Sequence, residues 1–94
     1  MLDVDKDVVQ KPVAKASATP LFGTSPLEVT FDAGDSFNST GGPLQFLWRF
    51  DDGKSSTDIS PKHRFSNFGT YMVELTVTNS EGQEDTDWIV IIVN

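Results

Sequence analysis

Alternation of apolar and polar residues with a period of two is the feature that most constrains how this 94-residue chain can fold. Residues 27–33 (LEVTFDA) and 70–78 (TYMVELTVT) place an apolar side chain at nearly every second position, and residues 44–50 (LQFLWRF) do the same around Trp48. This is the period of a β-strand with one buried face. No window repeats apolar residues at helical spacing over three turns, so an all-β chain is expected.

Turn-forming residues divide the chain into short segments. Loops rich in Pro, Gly, Ser and Asn are expected at residues 19–26 and 34–43. The predicted strands are 13–18, 27–33, 44–50, 62–65, 70–78 and 85–93, with a short edge strand in 54–57. About seven short strands separated by turn signals predict an antiparallel β-sandwich of two sheets. We expect one domain over residues 11–94, preceded by a flexible linker over residues 1–10.

Composition excludes several classes of function. Seven basic and fourteen acidic residues give a net charge of −7, which repels phosphate backbones and anionic lipids, so neither nucleic-acid binding nor membrane insertion is expected. The chain has no cysteine, and His63 is its single histidine. Zinc sites are built mainly from Cys and His ligands, and a nucleophilic triad usually needs a His base, so the sequence supplies very few of the side chains that either requires. We expect no catalytic residues and no enzyme activity.

Three stretches, taken in order, resemble the polycystic kidney disease (PKD) domain family. Residues 48–53 (WRFDDG) resemble its Trp-containing hairpin, and residues 26–36 (PLEVTFDAGDS) resemble its second strand and loop. Residues 60–82 resemble its stretch in which alternating Val and Leu residues are followed by Asn and Gly. The resemblance implies an immunoglobulin-like β-sandwich from an extracellular multidomain protein, secreted or on the cell surface. In that family the domain is a spacer or an interaction module and not the catalytic unit.

The sequence departs from the family pattern at two kinds of position. Arg49 stands where the family usually has Asp, and Asp51 where it usually has Gly. Some members bind calcium through acidic loop residues, but the matching positions here are Asn38 and Thr40, and Lys11 stands where Asn or Asp usually precedes the first strand. These departures argue against a calcium site, and we expect no metal and no cofactor.

Two adjacent carboxylates, Asp51 and Asp52, come directly before Gly53. They could be metal ligands or catalytic groups, or simply the turn of a hairpin. Asp side chains bond to their own backbone in turns and Gly readily takes a positive φ, so a structural turn is favoured. His63 shares its parity with Phe65, which favours a partly buried, hydrogen-bonded side chain.

Two aromatic residues are expected to serve the core. Trp48 falls where the sandwich fold has its buried Trp, and Tyr71 is placed like the residue of a tyrosine corner. In the loop before the 44–50 strand, Asn38, Ser39 and Thr40 form a weak glycosylation sequon.

The last strand does not fit an ordinary solvated face. If Ile89, Ile91 and Val93 point inward, the alternate positions face outward, where polar residues are usual. The possible contact face comprises Leu47, Met72, Trp88, Val90 and Ile92. Apolar surfaces of this size usually mark contacts.

Three occupants of this face are compatible with the sequence. A neighbouring domain or a partner protein is favoured, because the residues around Trp88 are mostly aliphatic. The N-terminal arm, which carries Leu2, Val4, Val8 and Val9, is a second possibility. Trp88 as a flat platform for polysaccharide or collagen is the third. Together with the family resemblance, which implies an extracellular location, this face predicts a contact module. The alternative that the resemblance implies is a carbohydrate- or collagen-binding accessory domain of a secreted hydrolase.

Overall fold

A computed structural model describes residues 11–39 and 41–94 of the chain. These residues form ten β-strands and no helix, so none of them belongs to a helix that could span a membrane. The strands are β1 (Pro12–Val13), β2 (Ser17–Thr19), β3 (Phe22–Gly23), β4 (Leu27–Asp32), β5 (Phe37–Asn38), β6 (Leu44–Arg49), β7 (Ser55–Ser56), β8 (Lys62–Phe65), β9 (Gly69–Asn79) and β10 (Glu84–Val93). The linker predicted for residues 1–10 lies outside the described residues.

The strands build two main sheets and one short ribbon. A five-stranded sheet has the order β3-β10-β9-β6-β7, a three-stranded sheet has the order β2-β4-β8, and β1 pairs with β5. The predicted all-β sandwich is confirmed, but residues 19–26 and 34–43 are not wholly loops, since they contain β3 and β5. Two-residue strands are too short to produce a period of two, and for that reason the sequence pattern misses them.

The predicted first strand, 13–18, is divided between two partners. Its first residue, Val13, pairs with β5, and its last two residues, Ser17 and Ala18, pair with β4 in the three-stranded sheet. The chain then crosses to the five-stranded sheet, where Phe22 lies beside Ile92 in a parallel pair. This pair extends beyond the strand ends, because the N–H of Asn94 donates to the oxygen of Gly23 at 2.8 Å.

Two carboxylates on β10 hold the segment between β1 and β2. The N–H of Ala14 donates to Oδ2 of Asp85, and the N–H of Ala16 donates to Oδ2 of Asp87, both at 2.8 Å. At these two positions a side-chain carboxylate, and not the main-chain oxygen of a neighbouring strand, accepts the main-chain N–H. The segment runs beside β10 in the same direction as that strand.

The core lies between the two main sheets. Trp48 of β6 is fully buried and packs against Phe31 of β4, with ring centroids 5.1 Å apart. Burying a large aromatic side chain contributes roughly 2 to 3 kcal/mol. The other fully buried side chains include Phe65, Val29, Val73, Leu75, Val77 and Ile91.

The turn between β9 and β10 is fixed by one buried polar side chain. Oδ1 of Asn79 accepts from the N–H groups of Glu81 and Gln83, each at 3.0 Å, and Gly82 takes a φ of +81°. This turn sets a ten-pair antiparallel register between the two longest strands.

Candidate contact face

Apolar side chains cover the outer face of the β9–β10 hairpin towards the end of β10. The register places Val90 opposite Met72 and Trp88 opposite Glu74. Ile91 points the other way and is fully buried, so the parity predicted for β10 is confirmed. The exposed fractions of the outward side chains are 56% for Met72, 53% for Trp88, 45% for Val90 and 46% for Ile92.

Phe22 extends this surface, although the sequence pattern did not predict it as part of the contact face. Because β3 pairs in parallel with β10, Phe22 lies next to Ile92 on the same face, and it is 70% exposed. The only sequence signal was a large aromatic residue within a predicted loop. We use the name apolar patch for Phe22, Met72, Trp88, Val90 and Ile92.

Leu47 is separate from the patch. It lies opposite Thr76, and the next row along the sheet towards Met72 contains Arg49 opposite Glu74. Leu47 is also half-buried, whereas the residues of the patch are exposed. The parity expected for Leu47 holds, but a polar row interrupts the strip that the sequence suggested.

Charged groups border Trp88 on one side. Arg49, Asp51, Met72, Glu74 and Trp88 line a shallow depression of about 410 Å³. The patch is therefore aliphatic on the side of Val90 and polar, with both signs of charge, on the side of Arg49. One face of the sheet thus offers both apolar contact and hydrogen-bonding groups.

Asp51 joins the β6–β7 turn to β9. Its φ of +66° lies in the left-handed region, which Asp tolerates better than most residues. Its Oδ2 accepts a hydrogen bond of 3.0 Å from the N–H of Met72, just beyond the last β6–β9 pair. A Gly, which the family usually has at this position, would adopt this φ without strain.

Asp52 and His63 form a pair that ties the same turn to the other sheet. Nε2 of His63 lies 2.6 Å from Oδ2 of Asp52, and the imidazole stacks on Phe50 with ring centroids 4.0 Å apart. Oδ1 of Asp52 also accepts from the N–H of Lys54 at 3.1 Å. The structure therefore places Asp51, Asp52 and Gly53 in a turn, with His63 half-buried and bonded as predicted.

Trp48 and Tyr71 are structural, as their sequence positions indicate. Trp48 is fully buried, and the hydroxyl of Tyr71 donates to the main-chain oxygen of Asn67 at 2.8 Å. This bond is that of a tyrosine corner.

The residues matching the family's calcium positions do not form an acidic cluster. Asn38 is half-buried in β5 opposite Pro12, and Lys11 is exposed. No group of three or more His, Asp or Glu side chains within residues 11–39 and 41–94 is arranged to hold a metal ion. Thr40 lies outside those residues, so the glycosylation sequon stays a prediction.

Comparison with known proteins gives a family and relatives in which the matching segment is part of a longer protein. A family model described as the PKD domain matches residues 9–93. Collagenase ColA of Bacillus cereus is 37% identical over 68 residues, which cover 72% of this chain and 7% of the collagenase. The chain thus spans less than a tenth of that curated relative.

Two solved structures share the architecture. The PKD1 domain of the Vibrio cholerae metalloprotease PrtV matches with a TM-score of 0.74 and 30% identity, covering 89% of this chain and 98% of that one. A structure described as showing the promiscuous specificity of carbohydrate-binding modules from the β-sandwich superfamily matches with a TM-score of 0.83 and 28% identity. That match covers 90% of this chain and 35% of the other.

Proposed function

Because the chain belongs to the PKD domain family, we propose that it is a non-catalytic, extracellular module of a larger protein whose apolar patch binds a neighbouring domain or another protein. PKD domains occur as modules within enzymes such as collagenases and metalloproteases. Those relatives support an accessory role beside a secreted protease. They also support the extracellular location.

The exposed apolar patch is the observation that carries this proposal. The rings of Phe22 and Trp88 alone present on the order of 250 Å² of exposed surface. Burying that area contributes roughly 6 kcal/mol at about 25 cal/mol per Å². Association itself costs about 4 to 15 kcal/mol, so a stable contact needs the aliphatic neighbours as well. Met72, Val90 and Ile92 supply them on the same face.

The geometry of the chain favours an external partner over the N-terminal arm. Ala14 is bonded to Asp85, near the beginning of β10, whereas the patch lies around the end of that strand, at Val90 and Ile92. Within the described residues, the segment that begins at β1 therefore runs beside the start of β10 and leaves the patch exposed.

Acrylamide quenching of tryptophan fluorescence tests the proposal in the isolated chain and in the parent protein. Trp48 is fully buried and Trp88 is half exposed, so in the isolated chain the quencher should reach Trp88 alone. A Trp88→Phe variant isolates the Trp48 signal. If the patch is a contact site, Trp88 becomes protected in the parent protein or in the presence of its partner. Equal quenching in both, with no association detected by ultracentrifugation, contradicts the proposal.

A second candidate is an accessory domain that binds collagen or polysaccharide. It is favoured by the depression in which Trp88 is bordered by Arg49, Asp51 and Glu74, and by the collagenase and carbohydrate-binding relatives. Retention on insoluble collagen, chitin and cellulose tests it. Loss of retention in Trp88→Ala, but not in a Phe68→Ala control at an exposed position between β8 and β9, supports it. Absence of retention on all three materials contradicts this second candidate function.

A further inference from the structure

We propose that the open edge of β6 is a second contact site, which binds an extended peptide segment by strand addition. This site lies at the opposite side of the five-stranded sheet from β10. It does not depend on the apolar patch. The site binds its partner through main-chain hydrogen bonds.

The edge is open because β7 is much shorter than β6, whereas β9 pairs with the whole length of β6. On one side all six of its residues pair with β9, but on the other side only Trp48 and Arg49 pair with β7. In the described part of the chain no further strand continues the ladder beyond Ser56. The first four residues of β6 thus have a strand partner on one side alone.

The direction of the main-chain groups follows from a bond at the end of the strand. The N–H of Phe50 donates to the oxygen of Lys54 at 3.1 Å, so even-numbered residues point towards β7. Because main-chain groups alternate along a strand, Phe46 and Leu44 point the same way. Their N–H and C=O groups face the side where β7 has already ended.

Asp58 would stand opposite Phe46 if β7 continued, but its main-chain groups are used elsewhere. Its oxygen accepts from Nε1 of Trp48 at 3.0 Å, and its N–H donates to Oγ of Ser56 at 3.1 Å. The side chains of Trp48 and Ser56, the last residue of β7, therefore terminate the ladder. Among the described residues, none then pairs with the edge-facing main-chain groups of Phe46, and such groups need water or a further strand.

A depression at this edge can receive the partner's side chains. Its volume is about 600 Å³, and it is lined by Leu44, Gln45, Phe46, Leu47, Thr57, Thr76 and Thr78. None of these side chains is charged. An antiparallel strand opposite Phe46 would exchange two main-chain bonds with it and place neutral β-branched or aliphatic side chains over Leu47. The occupant is accordingly an extended, uncharged segment of a partner protein.

Amide hydrogen exchange of the free protein gives the first test. The N–H of Phe46 should exchange much faster than that of Trp48, which faces the same side of β6 and is paired with β7. Equal protection of the two amides overturns the proposal.

Titration with a defined peptide gives the second test, monitored by amide chemical shifts. The probe is an acetylated and amidated peptide with the sequence Lys-Thr-Val-Thr-Val-Thr-Lys, in which the five central residues are the uncharged segment and the two terminal Lys residues supply solubility. Saturable shifts at residues 44–47 and Thr57, with slowed exchange of the Phe46 amide, are expected. No shift up to the solubility limit of the peptide, or shifts centred on Trp88, overturns the proposal.

A matched pair of threonine variants controls the titration. Thr57 and Thr70 are both exposed, but Thr57 lines the depression while Thr70 lies at the far end of β9. Thr57→Arg should weaken peptide binding about tenfold, comparable to losing one or two hydrogen bonds, and Thr70→Arg should leave it unchanged. Trp88→Ala should also leave it unchanged, so this site and the apolar patch can fail independently.

Discussion

Nε1 of Trp48 donates a hydrogen bond of 3.0 Å to the main-chain oxygen of Asp58. The bond couples the centre of the core to the segment that leaves the five-stranded sheet. It therefore has two consequences, since it satisfies the indole inside the sandwich and ends the ladder between β6 and β7.

Replacing Trp48 by Phe should lower the free energy of unfolding by about 2 kcal/mol, since it removes buried ring volume and leaves the oxygen of Asp58 without its donor. Urea unfolding followed by circular dichroism measures the change. Trp88→Phe is the matched control and should change stability by less than about 0.5 kcal/mol, because Trp88 is half exposed. Equal losses in both variants would contradict the assigned burial.

Asp51 has a left-handed backbone conformation, and its carboxylate accepts a hydrogen bond from the N–H of Met72. Two substitutions separate the effects of these two features on stability. Asp51→Gly relieves the backbone strain but loses the bond to Met72, so the net change should be small, within about 1 kcal/mol. Asp51→Val loses the bond and worsens the strain, so it should cost about 2 kcal/mol or more. Thermal unfolding of the two variants measures the difference. Equal stability of both would mean that φ at this position is not restrictive.

Asp87 is expected to hold the segment before β2 in place. Its Oδ2 accepts from the N–H of Ala16 at 2.8 Å, and its Oδ1 accepts from the N–H of Trp88 at 3.0 Å. Asp87→Ala should cost about 2 kcal/mol, because two main-chain donors lose their acceptor. It should also speed hydrogen exchange at Ala16. Glu84→Ala, at an exposed position of the same strand, is the control and should have little effect on either quantity.

Burial could be predicted from the sequence, whereas contacts between outward side chains could not, because the two properties depend on different structural information. The burial of Trp48 and the exposure of Trp88 follow from parity, which a strand of six or more residues makes visible. Whether outward residues touch depends on register, which parity does not give. Leu47 was therefore grouped with Met72, although the row of Arg49 and Glu74 separates them.

Long-range pairings account for the other differences. Phe22 joins the patch only because β3 pairs in parallel with β10, a contact between residues about seventy positions apart. Asp85 and Asp87 accept bonds from the N–H groups of Ala14 and Ala16, which are 71 positions away in the sequence. Such acceptor roles depend on which segment lies beside the strand, and no local pattern specifies that.

Asp32 should make the stability of the domain depend on pH in the acidic range. Hydrogen bonds from the hydroxyl of Ser60 and the N–H of Gly34 lower the pKa of its carboxyl below the ordinary value of 3.8. Because the folded state binds the proton more weakly than the unfolded state, this contribution is complete above the unfolded pKa and is lost as the pH falls through the folded pKa. Ser60→Ala removes the main cause of the shift. Its stability deficit relative to the wild type, measured by urea unfolding, should therefore be larger at about pH 6 than at about pH 2.5. A deficit that is constant or grows towards acid would contradict the assigned bond between Ser60 and Asp32.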